Sequence, residues 1–189
     1  MFFKKFIIFL TALTFQINTV YANEIKNLAS INNSLITSYD LYLEIKLKEE
    51  IEGLKIEKKY HSIILQQLIN EKIKELEVKE KKIQVDLKQI DLQTQSILNK
   101  VADKNISPIL IKKLKNKIKI NTSWNRLVIS IYRNKLEINM NEIDEILKSK
   151  KVKLEEKDNF VLSEKNKKLN IFSKTHFNEI KKKYFIKNF

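Results

Sequence analysis

Apolar residues recur along this chain at three- and four-residue spacing, and the strongest such stripe lies between Asn121 and Met140. Trp124, Leu127, Val128, Ile131, Lys135 and Ile138 share one helical face there, apolar except at Lys135. Arg126, Ser130, Arg133 and Glu137 share another face. The pattern predicts one amphipathic helix over 121–140, around which the earlier helices gather.

Taken in order, residues 25–31 predict a short strand, Asn32-Asn33 a turn, and Leu35-Ile36 a return of the strand. Thr37 and Asp40 have the spacing of a capping box, and open a helix through Leu41, Ile45 and Leu47 that ends near Gly53. A longer helix is predicted over 58–81, with Leu68, Ile69, Ile73 and Leu76 inward. Glu71, Lys74, Glu75 and Lys79 alternate in sign on its outer face. Ile83 to Val85 reads as an extended link. Asp86 caps a helix to about Asp103, with Ile90, Ile97, Leu98 and Val101 inward.

Ser107-Pro108 starts a short helix with Leu110, Ile111, Leu114 and Ile118 on one face. Asn141 and Asp144 cap another through Ile143, Ile146 and Leu147. Beyond it, 149–159 is dominated by charge, Asn159–Ser163 predicts a strand and 164–170 a polar loop. Lys174–Lys182 predicts a helix with Phe177 and Ile180 on one side. Tyr184–Phe189 predicts a closing strand that pairs with 25–31. The expected fold is mainly α, a multi-helix domain with a few short strands near its two ends.

Glycine and proline occur once each and cysteine never, which favours long helices and excludes disulfide or thiolate chemistry. The formal net charge is +14, and removal of Lys4 and Lys5 with the first segment leaves +12. Abundant Lys, Ile and Asn beside scarce Ala and Arg are also what an AT-rich coding sequence dictates, so part of this charge carries no functional information. Only two arginines are present, Arg126 and Arg133, which disfavours nucleic acid as a partner.

Residues 1–22 have the three parts of a secretory signal peptide. Lys4 and Lys5 form its basic start, Phe6–Phe15 its apolar centre, and Val20-Tyr21-Ala22 a small-x-small cleavage site before Asn23. The centre falls short of the roughly 20 residues that span a bilayer. The expectation is export to the periplasm, with 1–22 removed, a helical domain over 23–150, a charged linker with a short strand over 151–168, and a returning helix and strand over 169–189.

No catalytic constellation stands out. His61 and His176 lie far apart without a ligand pattern, and there is no glycine-rich phosphate loop and no nucleophile elbow. No metal or cofactor is expected. Lys112, Lys113, Lys115, Lys117 and Lys119 form the sharpest basic patch. It reads either as the solvated face of its helix or as an electrostatic contact for an acidic segment or an anionic membrane surface. The late aromatics Phe160, Phe172, Phe177, Tyr184, Phe185 and Phe189 read first as core-closing residues.

Several strings resemble the amino-terminal domain of SurA-type periplasmic chaperones: ASINNSLITSYDL at 29–41, LQQLINEKIKELEVKEKKIQV at 65–85, DLKQID at 86–91 and SWNRLVISIYRNKL at 123–136. NEIDEIL at 141–147 and FVLSE at 160–164 resemble that family's exit into a parvulin-type isomerase domain. Only 26 residues follow Ser163 here, so the resemblance implies the chaperone core without the enzyme, and His176 takes no isomerase role. It also implies a carboxy-terminal helix and strand that return to the core, and unfolded outer-membrane proteins as partners. A groove between helices would then bind extended client, with Trp124 and Tyr132 as first candidates and Phe160 and Phe177 behind them; the same four residues equally fit a plain core. The other class of function is a basic envelope assembly protein, a Skp-like holdase acting mainly by charge, which would need long coiled-coil arms. The oligomeric state is left open by the sequence.

Overall fold

The computed structural model describes residues 24–101, 105–150 and 157–189. The signal segment, with its cleavage site at Ala22 and Asn23, and the linker residues 151–156 lie outside them.

The fold is mainly helical, with six α-helices and three short strands among the described residues. Strands β1 (Asn27–Ile31) and β2 (Ser34–Thr37) form an antiparallel hairpin across Asn32-Asn33. Asn32 takes the turn with φ of 49°. Asparagine tolerates that left-handed conformation better than most side chains do. Thr37 then caps α1 (Ser38–Glu52): its Oγ1 accepts from the Asp40 N–H at 3.2 Å, and Asp40 Oδ2 accepts from the Thr37 N–H at 2.8 Å. Gly53 closes α1 in the left-handed conformation, with φ of 67°.

A single 3₁₀ turn leads into α2 (His61–Glu80). Asp86 caps α3 (Leu87–Leu98), which stops short of the predicted Asp103. The two helices expected over 108–119 and 121–140 are one, α4 (Pro108–Tyr132), 25 residues long. Nothing between Lys119 and Thr122 breaks a helix; the shift in apolar phase there marks a change of packing partner. Leu110, Leu114 and Ile118 belong to a core with Leu47 and Ile90. Trp124, Leu127 and Val128 belong to a second core with Ala29, Ile31, Ile36, Ile69, Ile73 and Ile180. Helix α4 is thus the spine shared by both, packed on α1, α2, α3 and the last helix.

The predicted stripe stops early. The α-helix ends at Tyr132 and a 3₁₀ turn takes Arg133–Leu136, while Ile131 stands 48% exposed. Past Val128 the last helix meets Tyr132 rather than Ile131 or Lys135, and both of these stay exposed. Helix α5 (Met140–Lys150) buries Ile143 and Leu147 as predicted.

The largest correction falls on 159–170. The expected strand and loop are part of one helix, α6 (Lys157–Lys181), also 25 residues long, which runs through the supposed boundary between linker and returning piece at 168/169. Phe160, Val161, Glu164, Lys168, Leu169, Phe172, His176 and Ile180 follow three- and four-residue spacing on its inner side. Two polar positions in that stripe, Glu164 and Lys168, had made it read as separate pieces. Helices α4 and α6, not the 58–81 segment, are the longest. The chain then returns as β3 (Ile186–Asn188), which pairs with β1 as expected and runs antiparallel to it, giving the sheet order β2-β1-β3.

Candidate functional site

Where α4 and α6 cross, their aromatic residues converge. The Trp124 ring lies 5.4 Å from His176 and 6.2 Å from Phe177, the latter edge-on. Tyr132 stacks on Phe172 at 4.8 Å and meets His176 edge-on at 5.9 Å. Such offset and edge contacts suit the ring quadrupoles and fix the angle between the helices. Lys74 of α2 sits over both Trp124 and Phe177, at 5.6 and 5.8 Å. Burial lowers the Lys74 pKa, against the opposing pull of Glu71. Trp124 itself is 1% exposed, and its indole N–H donates to Ser173 Oγ.

Three of the four sequence-predicted binding residues therefore meet, but as interior. Trp124 closes the core, and Tyr132 and Phe177 are half-buried against it. Phe160 belongs elsewhere: it precedes Phe172 by three turns of α6, about 18 Å along a helix. His176 is buried, with its Nε2 making no hydrogen bond among the described residues. Burial lowers its pKa, with Glu77 and Glu179 raising it and Lys183 and Lys81 lowering it in smaller measure.

The five lysines of the predicted patch do not act as one surface. Glu44 of α1, 1% exposed, is held by Lys117 and by Lys113 at 3.2 Å, and Lys117 also reaches Glu71 of α2 at 3.1 Å. Burial would raise the Glu44 carboxyl, yet Lys117, with Lys113 behind it, holds it below the ordinary carboxylate range. Lys117 is lowered by burial but raised on balance by Glu71 and Glu44. Lys115 pairs with Asp91 of α3. Lys112 and Lys119 stand exposed. Lys113 and Lys117 thus form an inner clamp that ties α4 to α1 and α2, while Lys115 makes a solvent-facing pair with α3.

Sequence reasoning passed over two buried carboxylates. Glu44 sits beside Ile45, between Leu41 and Leu47, and Glu77 sits one turn after Ile73; a carboxylate set inside an apolar stripe was the available signal. Glu77 is 0% exposed, accepts the Tyr184 hydroxyl at 3.1 Å, and has Lys183 and Lys81 at 3.8 and 3.9 Å. Burial, followed by the Glu77 charge, raises the Tyr184 pKa. The tail is fixed further by Asn32, whose Oδ1 accepts the Phe185 N–H at 2.9 Å while its own N–H donates to the Phe185 carbonyl at 2.8 Å.

The open apolar surface lies at the other end of α6. A cleft of about 690 Å³ runs between the end of α4 and the first turns of α6. Ile129, Leu136, Ile138, Met140, Val161, Leu162 and Leu169 line it, with Arg133, Glu137, Lys165 and Asn166 among them. Ile129, Met140 and Leu162 are 45%, 45% and 57% exposed. Lys168 donates to the Glu137 carbonyl at 2.7 Å and Lys157 pairs with Asp144 at 2.6 Å, so α6 is tied to both sides of the turn that forms the opposite wall. The sequence marked this place only through Phe160, the neighbour of Val161.

No protein-family model matches the chain, and no curated protein matches it.

Proposed function

We propose that this protein is an exported, non-enzymatic chaperone that holds extended apolar segments of unfolded outer-membrane proteins. The observation that carries the reading is the cleft between α4 and α6, where exposed Ile129, Met140 and Leu162 lie along one open trench. Contiguous exposed apolar surface of this kind marks a place where another molecule is bound. An extended segment supplies side chains to such a trench without needing a fold of its own. The binding surface lies above the Trp124 cluster rather than in it, and that cluster stiffens the helix pair that forms the walls.

Two further features support the reading. The returning α6 and β3 are what the resemblance to SurA-type amino-terminal domains implies, and the amino-terminal segment 1–22 has the pattern of a cleaved signal. The ion pairs of Lys113, Lys115 and Lys117 favour an apolar mechanism over a holdase acting through that patch.

The test is light scattering of an unfolded outer-membrane barrel protein diluted from denaturant into the purified protein, at low and high salt. Suppression at both is expected. Suppression at low salt alone would replace the apolar mechanism by charge attraction, which salt screens. A proline-isomerisation assay is expected to stay at the background rate.

A further inference from the structure

A second cleft, of about 630 Å³, lies between the end of α2 and the middle of α4. Its floor is apolar, made by Val78, Ile83 and Ile120. Lys79, Lys82 and Lys119 stand around it, all exposed, and none of them takes part in an ion pair among the described residues. The one carboxylate in the lining, Glu75, is paired with Lys72 at 2.8 Å. Arg126 stands at the border, donating one N–H to the Gln84 carbonyl at 2.9 Å.

The neighbouring cleft on the same helix pair has the opposite character. It is lined by Asp40, Glu71, Lys72, Glu75 and Lys113, whose charges are met within the fold. Asp40 caps α1, Glu71 holds Lys117, and Lys113 holds Glu44. The two clefts share Glu75, Asn116 and Ile120, so they adjoin, with charge matched on one side and unmatched cations on the other. Lysines in the last turn of a helix ordinarily complement its dipole, which accounts for Lys79. That reason does not reach Lys119, which sits mid-helix on α4 and brings its charge to the same place.

We propose that the second cleft, between α2 and α4, binds an acidic peptide segment in extended form, its carboxylates at Lys79, Lys82 and Lys119 and its apolar side chains on Val78, Ile83 and Ile120. An apolar floor between separate cations suits an extended peptide over a compact ion, and the side-chain amides of Asn116 and Gln84 stand in the same lining as hydrogen-bonding groups for a peptide backbone. This surface is separate from the apolar cleft of α4 and α6 and does not rest on the chaperone reading.

The test uses the full chain and a fluorescent extended peptide in which glutamate alternates with leucine, with a glutamine-for-glutamate version as the control. The parent protein is expected to bind the acidic peptide and to bind the glutamine version far more weakly. The triple variant K79A/K82A/K119A is expected to lose about tenfold in affinity, since exposed pairs contribute little each and must be removed together. These side chains are exposed, so the circular dichroism melt should be unchanged. L162S, in the other cleft, should bind the acidic peptide as the parent does. Equal binding of both peptides, or unchanged affinity in the triple variant, overturns the proposal. Full displacement of the acidic peptide by millimolar inorganic phosphate, or by vesicles of anionic lipid, would overturn it in favour of a simple anion or membrane site.

Discussion

Trp124 donates its indole N–H to the hydroxyl of Ser173 at 2.7 Å, across the crossing of α4 and α6. This bond satisfies the only polar atom of a side chain that is otherwise wholly in the core, and it joins the spine helix to the helix that closes the fold. Ser173→Ala is expected to cost about 1 kcal/mol, the net worth of an ordinary hydrogen bond. Trp124→Ala should cost about 3–5 kcal/mol through the cavity it leaves. Denaturant unfolding distinguishes the two. Loss of cooperativity in the tryptophan variant, alongside lost client binding, would confirm that Trp124 acts through the fold.

The Glu44 clamp makes a second prediction. Glu44→Ala leaves Lys117 with Glu71 alone and Lys113 without its partner. Removing one member of a buried pair costs about 3–5 kcal/mol. The loss here should be nearer 2 kcal/mol, because the Lys117 side chain is 27% exposed and retains Glu71. The double replacement Glu44→Leu with Lys117→Met should recover most of that loss. A double-mutant cycle in urea measures the coupling directly.

Stability should depend on pH in two acid steps. Burial depresses His176 in the folded state, so the unfolded chain takes up the proton more readily. Its contribution is complete above the ordinary value of 6.5 and is lost as pH falls through the folded value. Glu44 follows below its ordinary 4.5, since its folded pKa is lowered too. Lys117 is raised, so its contribution persists up to 10.5 and is lost only as pH rises beyond. Unfolding midpoints at about pH 7.5 and about pH 5.5 should differ in the parent and differ less in His176→Phe.

The apolar cleft can be separated from the core by substitution. Ile129→Ser with Leu162→Ser changes two side chains that already stand about half in water. Surface changes of that kind shift stability little, about 0.5 kcal/mol or less each. Aggregation suppression should fall severalfold while the melting curve stays in place. Full suppression by the double variant would move client binding away from this cleft.

Sequence periodicity found the hairpin, the Thr37–Asp40 capping box, the Asp86 cap and the β1–β3 pairing, because each rests on local chemistry or on strand patterning. It did not find that α4 serves two cores. The short helix started by Ser107-Pro108 and the helix over 121–140 read as separate along the chain, and only the packed partners of each half show one helix serving both cores. The fate of the lysines was illegible for the same reason: Lys113, Lys115 and Lys117 resemble Lys112 along the chain, and the difference lies in Glu44, Glu71 and Asp91 on three other helices. Trp124, Tyr132 and Phe177 meet in the structure as interior, because an apolar stripe does not say which side of a helix pair faces water. Phe160 reads as part of a strand because Glu164 and Lys168 interrupt a helical stripe that runs on to Ile180.

The β1–β3 pairing also orders events during folding. Asn32 and Phe185 are 153 residues apart in sequence and bonded through both main chain and side chain. The hairpin of β1 and β2 closes over a two-residue turn and is free to form early, whereas the third strand must wait for nearly the whole chain. Closing so long a loop carries a large entropic cost and slows the final step. Until β3 arrives, one edge of β1 is an open template for strands of other molecules. A partly synthesised chain is therefore a species that must itself be kept from aggregating, and the arrival of 186–188 decides when that exposure ends.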